Sequence, residues 1–185
     1  KALGVSISQT DENDYSVKGV GGRFPVRKAD LFLGNAGTAY RPLTAVLSLM
    51  QGNYRLYGVP RMYERPIKDL VDALRQLGSD ITYLGNDGFP PIAIKNSETW
   101  SDALVIRGEV SSQYLTSLLI ASPLINKMLS IEVVGKIISQ PYINLTLALM
   151  LRFGVEIEQE GLRHFVLHDG LKYESPGEIF VEGDA

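Results

Sequence analysis

The 185-residue sequence contains no cysteine. That excludes a disulfide framework, a thiolate metal site and a cysteine nucleophile. It suits a reducing, cytoplasmic setting, which is the expected location. Histidine is nearly absent as well. His164 and His168 lie four apart without a carboxylate cluster beside them, so no metal site is expected. Neither can be placed in a Ser/His/Asp arrangement, and the single Trp100 reads as packing. There is no excess of positive charge. Eighteen Lys and Arg against 21 Asp and Glu give a net charge of −3, which argues against a general nucleic-acid binder. No apolar run reaches the ~20 residues of a membrane helix, and none follows the opening Lys1-Ala2-Leu3-Gly4-Val5, so neither a signal peptide nor a membrane partner is expected. What remains is ordinary globular composition, 45% hydrophobic and 21% charged, with room for a sizeable core in one large domain or two small ones.

The chain repeats itself. Leu3-Gly4-Val5-Ser6-Ile7, Leu77-Gly78-Ser79-Asp80-Ile81 and Phe153-Gly154-Val155-Glu156-Ile157 share one pattern, an apolar residue, a glycine and an alternating strand-like stretch. A second marked glycine follows each at about thirty residues: Gly34, Gly108 and Gly183. Within a period, Pro66 opens a helical pattern in which Ile67, Leu70, Val71, Leu74 and Leu77 share a face, and Gly78 stands where a left-handed cap belongs. Strand-like segments follow near 79–84, 91–95 and 103–107, with a turn at Asn86-Asp87-Gly88. Asp11-Glu12-Asn13-Asp14 reads as a solvated hairpin turn. A helix over about 111–123 is apolar almost all round, which predicts burial. A strand near 128–134 and a helix over 142–153 complete the set. Each period thus holds two helices and about four strands, with the helices buried inside and the sheets outside. The expected division is a single domain in three parts: closing strands of a first unit in 1–33, a second unit in 34–107 and a third in 108–185. Two tandem domains with a chance glycine match are the alternative. The pattern predicts a piece of a longer protein.

Polar residues gather where the helices open. The openings are Gly34-Asn35-Ala36-Gly37-Thr38-Ala39-Tyr40-Arg41-Pro42, Pro60-Arg61-Met62-Tyr63-Glu64-Arg65-Pro66, Gly108-Glu109-Val110-Ser111-Ser112-Gln113 and Ser139-Gln140-Pro141-Tyr142. Capping of free amides accounts for hydroxyls such as Thr38, Ser111 and Ser139 at such positions. It does not account for Arg41, Arg61 and Arg65. A helix N-terminus carries about half a positive charge, which disfavours cations unless an anion comes between. Free amides and guanidiniums together suit phosphate or carboxylate oxygens. Solvation, or pairing with Glu64, is the plain reading of each arginine taken singly.

Those four motifs together closely resemble the 5-enolpyruvylshikimate-3-phosphate synthase family, the 3-phosphoshikimate 1-carboxyvinyltransferases, over essentially the whole chain. The resemblance implies an α/β fold of repeated βαβαββ units, helices inside and sheets outside, an enolpyruvyl transferase-like inside-out barrel with about two and a half units present. It implies transfer of the enolpyruvyl group of phosphoenolpyruvate to the 5-hydroxyl of shikimate 3-phosphate in the shikimate pathway of aromatic amino acid biosynthesis, with no metal or organic cofactor. By motif, Gly37, Arg65 and Gln113 would meet phosphoenolpyruvate, with Thr38 and Asn35 shaping that loop and Arg41 and Arg61 in support. Ser111, Ser112, Gln113, Ser139 and Tyr142 would hold shikimate 3-phosphate. Gly37 would be the glycine that leaves room for glyphosate. Tyr40, Val59 and Gln140 depart from the usual residues, where methionine, an acidic residue and lysine are common. The family's Lys-Ser motif and its whole second domain, with the acid/base carboxylates, are missing. The chain is therefore expected to be the N-terminal-side domain of a monomeric two-domain enzyme, inactive alone, with the second domain as its partner. The alternatives are a domain like that of the transferase acting on UDP-N-acetylglucosamine, a non-catalytic anion-binding repeat module, and a cyclase of RNA ends.

Overall fold

The computed structural model describes residues 1–95, 100–109 and 111–181. The chain opens with an antiparallel hairpin, β1 (Ser6–Gln9) and β2 (Tyr15–Lys18), turned at the solvated Asp11–Asp14 stretch. Then come β3 (Lys28–Phe32), α1 (Gly37–Ser48), β4 (Asn53–Tyr57), a short 3-10 helix over Pro60–Glu64, α2 (Lys68–Gln76), β5 (Asp80–Tyr83) and β6 (Ile92–Lys95). The same order returns as β7 (Ala103–Arg107), α3 (Ser112–Ala121), β8 (Leu129–Val134), α4 (Gln140–Arg152), β9 (Glu158–Glu160) and β10 (His164–Leu167). A second 3-10 turn, Ser122–Ile125, follows α3.

The two units have one topology. In the first sheet β3 is parallel to β4, β4 is antiparallel to β6, and β6 to β5. In the second, β7 is parallel to β8, β8 antiparallel to β10, and β10 to β9. This is βαβαββ twice over. The repeat read from the glycines is real in the backbone: Gly4, Gly78 and Gly154 take φ of +83°, +97° and +78°, where a side chain would strain the turn. The phase of the units differs from the boundaries drawn at Gly34 and Gly108. Those glycines fall between the first strand and the first helix of each unit, so the sheets begin with Lys28 and Ala103. The third marked glycine, Gly183, lies outside the described residues, as does Val110.

Alternation explains which faces are buried. Tyr54 and Leu56 of β4, Ile92 and Ile94 of β6, and Leu129, Ile131 and Val133 of β8 all point inward, and their neighbours face solvent. The helices pack against these inner faces. Residues Tyr40, Ala45 and Leu47 of α1, Leu70, Val71 and Leu74 of α2, and Tyr114, Leu115, Leu118 and Leu119 of α3 are fully enclosed. Helix α2 begins at Lys68 rather than Pro66: Ile67 is its cap residue, with φ −138° and ψ 4° outside the helical region, and its amide donates to the Gly88 carbonyl instead. Helix α4 departs from the expectation that every helix is interior. Only Ile143 and Met150 are buried, and Tyr142, Leu145, Leu149 and Leu151 stand 44–65% exposed. An apolar sequence fixes what a helix would prefer to cover, not whether a covering element is at hand.

The units are tied edge to helix. Strand β7 borders its sheet, and Gln76 at the end of α2 lies along it. The Gln76 amide Nε2 donates to the Val105 carbonyl at 2.9 Å, and the Val105 amide donates to Gln76 Oε1 at 2.8 Å. Among the described residues no helix is long and apolar enough to cross a membrane.

Candidate functional site

Topology gathers the helix starts. β3 and β4 are parallel and each is followed by a helix, so α1 and the Pro60–Lys68 stretch leading to α2 start at the same edge of the first sheet. β7 and β8 do the same for α3 and α4. Such carboxyl edges are where open α/β sheets present loops to ligands. The loops before α3 and α4 touch: the Ile138 amide donates to the Gly108 carbonyl at 3.3 Å, and a Cβ on Gly108 would meet Ile137 at 3.1 Å.

Three of the four starts are bound into one cluster. Arg65 Nη1 donates to the Asn35 carbonyl at 2.9 Å, which draws its guanidinium over the first turn of α1. Arg41, one turn into α1, reaches across to α3 and donates to Gln113 Oε1 at 2.5 Å. Its guanidinium also lies 5.5 Å from the centre of the Tyr114 ring. The Tyr114 hydroxyl donates to the Pro66 carbonyl at 2.6 Å, joining α3 to the loop that carries Arg65. Buried Gly37 sits between the two cations: a Cβ there would lie 2.5 Å from Arg65 Nη2 and 2.8 Å from Arg41 Nη1. A narrow cleft at this point is lined by Gly37, Tyr40, Arg41, Met62, Arg65 and Pro66, without a carboxylate.

The electrostatics follow from this crowding. Burial lowers the Arg41 pKa from its ordinary value, and the nearby Arg65 charge pushes the same way, while Tyr114 offsets part of it. Burial raises the Tyr114 and Tyr40 phenols. Two cations with no acidic partner among the described residues, beside a helix N-terminus, form a field that favours an anion.

The expected hydroxyls divide. Ser111 caps α3, its Oγ accepting from the Gln113 amide at 3.2 Å. Capping fails as an account of the other two. Thr38 lies inside α1, whose cap is Ala36 with no side-chain bond. Ser139 is the cap residue of α4 but makes no capping bond. It also has φ +54°, a left-handed conformation that a non-glycine residue rarely adopts. The hydroxyls of Thr38, Ser112 and Ser139 have no protein partner among the described residues.

Gly37, Asn35, Arg65, Arg41 and Gln113 are thus brought together, with Thr38, Ser111 and Ser112 on the same helix turns. Ser139 and Tyr142 stand at the start of α4, both exposed, with no bond to the cluster. Arg61 is set apart. It pairs with Glu64 on the 3-10 helix, the two side chains 70% and 60% exposed, so the plain reading holds for this arginine. Tyr114 was legible only as one apolar residue of a buried helix, and its role as a bridge between α3 and the Arg65 loop depends on a hydroxyl that periodicity does not weigh. The two histidines are separate. His164 meets Ser130 at 2.9 Å and His168 meets Glu158 at 2.9 Å. No group of three or more His, Asp or Glu able to hold a metal occurs among the described residues.

Two successive βαβαββ units, helices within and sheets without, give the chain an α/β repeat fold of the enolpyruvyl transferase type. It belongs to the family described as EPSP synthase (3-phosphoshikimate 1-carboxyvinyltransferase), whose model matches residues 1–185. A 3-phosphoshikimate 1-carboxyvinyltransferase of Cellvibrio japonicus is 56% identical over 185 residues, covering 100% of this chain and 43% of that protein. One from Ralstonia pickettii is 58% identical over 186 residues, covering 99% of this chain and 43% of its own. The chain thus spans less than half the length of these relatives. Among solved structures, EPSP synthase from Acinetobacter baumannii matches with a TM-score of 0.76 at 23% identity, over 94% of this chain and 38% of that one. The enolpyruvyl transferase NikO from Streptomyces tendae gives 0.57 at 15% identity, over 90% and 38%. At those identities the structures support the fold alone.

Proposed function

We propose that this chain is the substrate-holding part of a 3-phosphoshikimate 1-carboxyvinyltransferase, and that its helix starts receive phosphoenolpyruvate and shikimate 3-phosphate. The observation that carries this reading is the convergence of Arg65 and Arg41 on Gly37 without a carboxylate to neutralise them. Phosphoenolpyruvate brings a phosphate and a carboxylate, so it supplies the missing negative charge. Arg65 and the amides around Gly37 are its partners, with Asn35 and Thr38 framing the loop. The free hydroxyls of Ser112 and Ser139, with Ser111, Gln113 and Tyr142, are assigned to shikimate 3-phosphate.

The reaction replaces one C–O bond by another. Overall, the 5-hydroxyl oxygen of shikimate 3-phosphate bonds to the enol carbon of phosphoenolpyruvate, the bond from that carbon to the phosphate oxygen breaks, and the hydroxyl proton leaves with the released inorganic phosphate. Guanidiniums held before the substrates arrive neutralise the two anions without reorganising, which is how fixed charges lower a barrier. The cleft at Gly37 offers no acid/base carboxylate among its lining residues. That work is assigned to the part of the protein that the relatives carry beyond the matched span. The chain alone is accordingly expected to bind and not to turn over, with that remaining part as its partner.

A titration of the chain with shikimate 3-phosphate, UDP-N-acetylglucosamine and a short RNA tests the reading. Saturable binding of shikimate 3-phosphate alone is expected. Preference for the UDP sugar or the RNA would overturn it, and measurable product formation by the chain alone would overturn the assignment of the acid/base groups.

A further inference from the structure

We propose that Arg41 is a positioning residue: it holds the Gln113 carboxamide with its oxygen turned inward, so that Gln113 can offer the ligand only a hydrogen-bond donor. This rests on the functional reading above and adds to it the chemistry of one contact. A glutamine amide presents an oxygen at one end and an NH2 at the other, and by itself either can face a ligand. Arginine has no acceptor atom, so the group it touches must be an oxygen. Arg41 touches Gln113 Oε1 at 2.5 Å. The NH2 is therefore the free end, and among the described residues it has no partner.

Arg41 is itself held. Its guanidinium lies against the Tyr114 ring, and Tyr114 is 1% exposed and anchored through its hydroxyl to Pro66. The first turn of α3 is fixed in turn by the Ser111 cap on the Gln113 amide and by Ser117 Oγ donating to the Gln113 carbonyl. Backbone and side chain of Gln113 are both fixed before any ligand binds. A donor locked in place selects oxygens that can only accept, those of phosphate, carboxylate or ether groups. It disfavours a ligand that puts a hydroxyl proton at the same spot, because two donors would then meet.

The test is a double-mutant cycle on the full chain, read as the dissociation constant for shikimate 3-phosphate. R41M and Q113A are each expected to weaken binding about tenfold, as loss of one hydrogen bond to a charged group would. R41K, which keeps a donor for Oε1, should recover most of the R41M loss. The decisive comparison is R41M in the Q113A background, where no further loss is expected. Losses that multiply would mean that Arg41 holds the anion itself, and would overturn the proposal. Q113E covers the case in which R41M fails to fold. It places a carboxylate against Arg41 and removes the donor, so binding should fall more than tenfold with no drop in thermal midpoint. Wild-type affinity in Q113E would equally overturn the proposal. A wild-type chain that does not bind shikimate 3-phosphate would remove the functional reading beneath it, a result distinct from wild-type binding with multiplying losses.

Discussion

Gly37→Ala separates folding from binding at this site. The added Cβ would stand 2.5 Å from Arg65 Nη2, 2.7 Å from Arg65 Cζ and 2.8 Å from Arg41 Nη1. Ordinary contact for such atoms is about 3.5 Å, so the guanidiniums must withdraw by about 1 Å. Both are the far ends of flexible side chains, and Gly37 does not occupy the left-handed region, so the backbone accepts alanine. Gly37 is the first residue of α1. Alanine is a better helix former than glycine by up to about 1 kcal/mol, so stability should hold or rise slightly. Binding should not hold. Displacing Arg65 breaks its bond to the Asn35 carbonyl and moves the charge assigned to phosphoenolpyruvate. A hydrogen bond to a charged group contributes about 1.5–3 kcal/mol, which corresponds to roughly a tenfold to hundredfold loss in affinity. Calorimetric titration with phosphoenolpyruvate in the presence of shikimate 3-phosphate, beside a thermal melt, gives both quantities. Unchanged affinity for phosphoenolpyruvate in a folded G37A chain would refute the placement of that ligand against Arg65.

Other predictions bear on packing and charge. Tyr40→Phe removes the buried hydroxyl that donates to the Leu56 carbonyl at 2.8 Å. It should cost about 1 kcal/mol in urea unfolding, and an unchanged midpoint would show that α1 needs no anchor to β4. Ser139→Gly relieves a left-handed cap worth about 1 kcal/mol, so the chain should gain stability while binding shikimate 3-phosphate several-fold less tightly. A destabilised S139G chain would show that the turn is unstrained. Burial pushes the Tyr83 phenol up to about 12 from an ordinary 10.0. Its hydroxyl is buried and has no hydrogen-bond partner among the described residues. The unfolded chain ionises first, so the stability this group protects is intact below pH 10 and drains away between pH 10 and 12. Unfolding followed across that range should show the fall, and a flat profile to about pH 12 would mean that the hydroxyl reaches water.

The parts legible in the sequence were those written in local pattern. Alternation in β4, β6 and β8 marks inner and outer faces, and the glycine series marks the repeat because left-handed turns at Gly4, Gly78 and Gly154 select glycine. The arginines could be recognised as misplaced at helix starts because the helix field is a local quantity. The pairing of Arg41 with Gln113 was not legible. It spans 72 residues and depends on how α1 and α3 lie together. Nor could the charge at the helix starts separate Arg61 from Arg65, which only the family resemblance set in different roles. Both follow Pro60 within five residues, yet one turns to Glu64 and the other to Asn35. The left-handed turn at Ser139 and the bare side of α4 escaped notice for the same reason, since both are set by neighbours distant in the chain.

The side chain of Gln76 carries the same donor and acceptor as a peptide group, and against Val105 it stands in for one more strand. A sheet border that would otherwise invite pairing with a stranger is occupied from within, by a residue of the preceding unit. The two repeats therefore share a rung of one ladder: cut from the first, the second would bare the β7 edge at Val105, so the pair should melt as a single cooperative block.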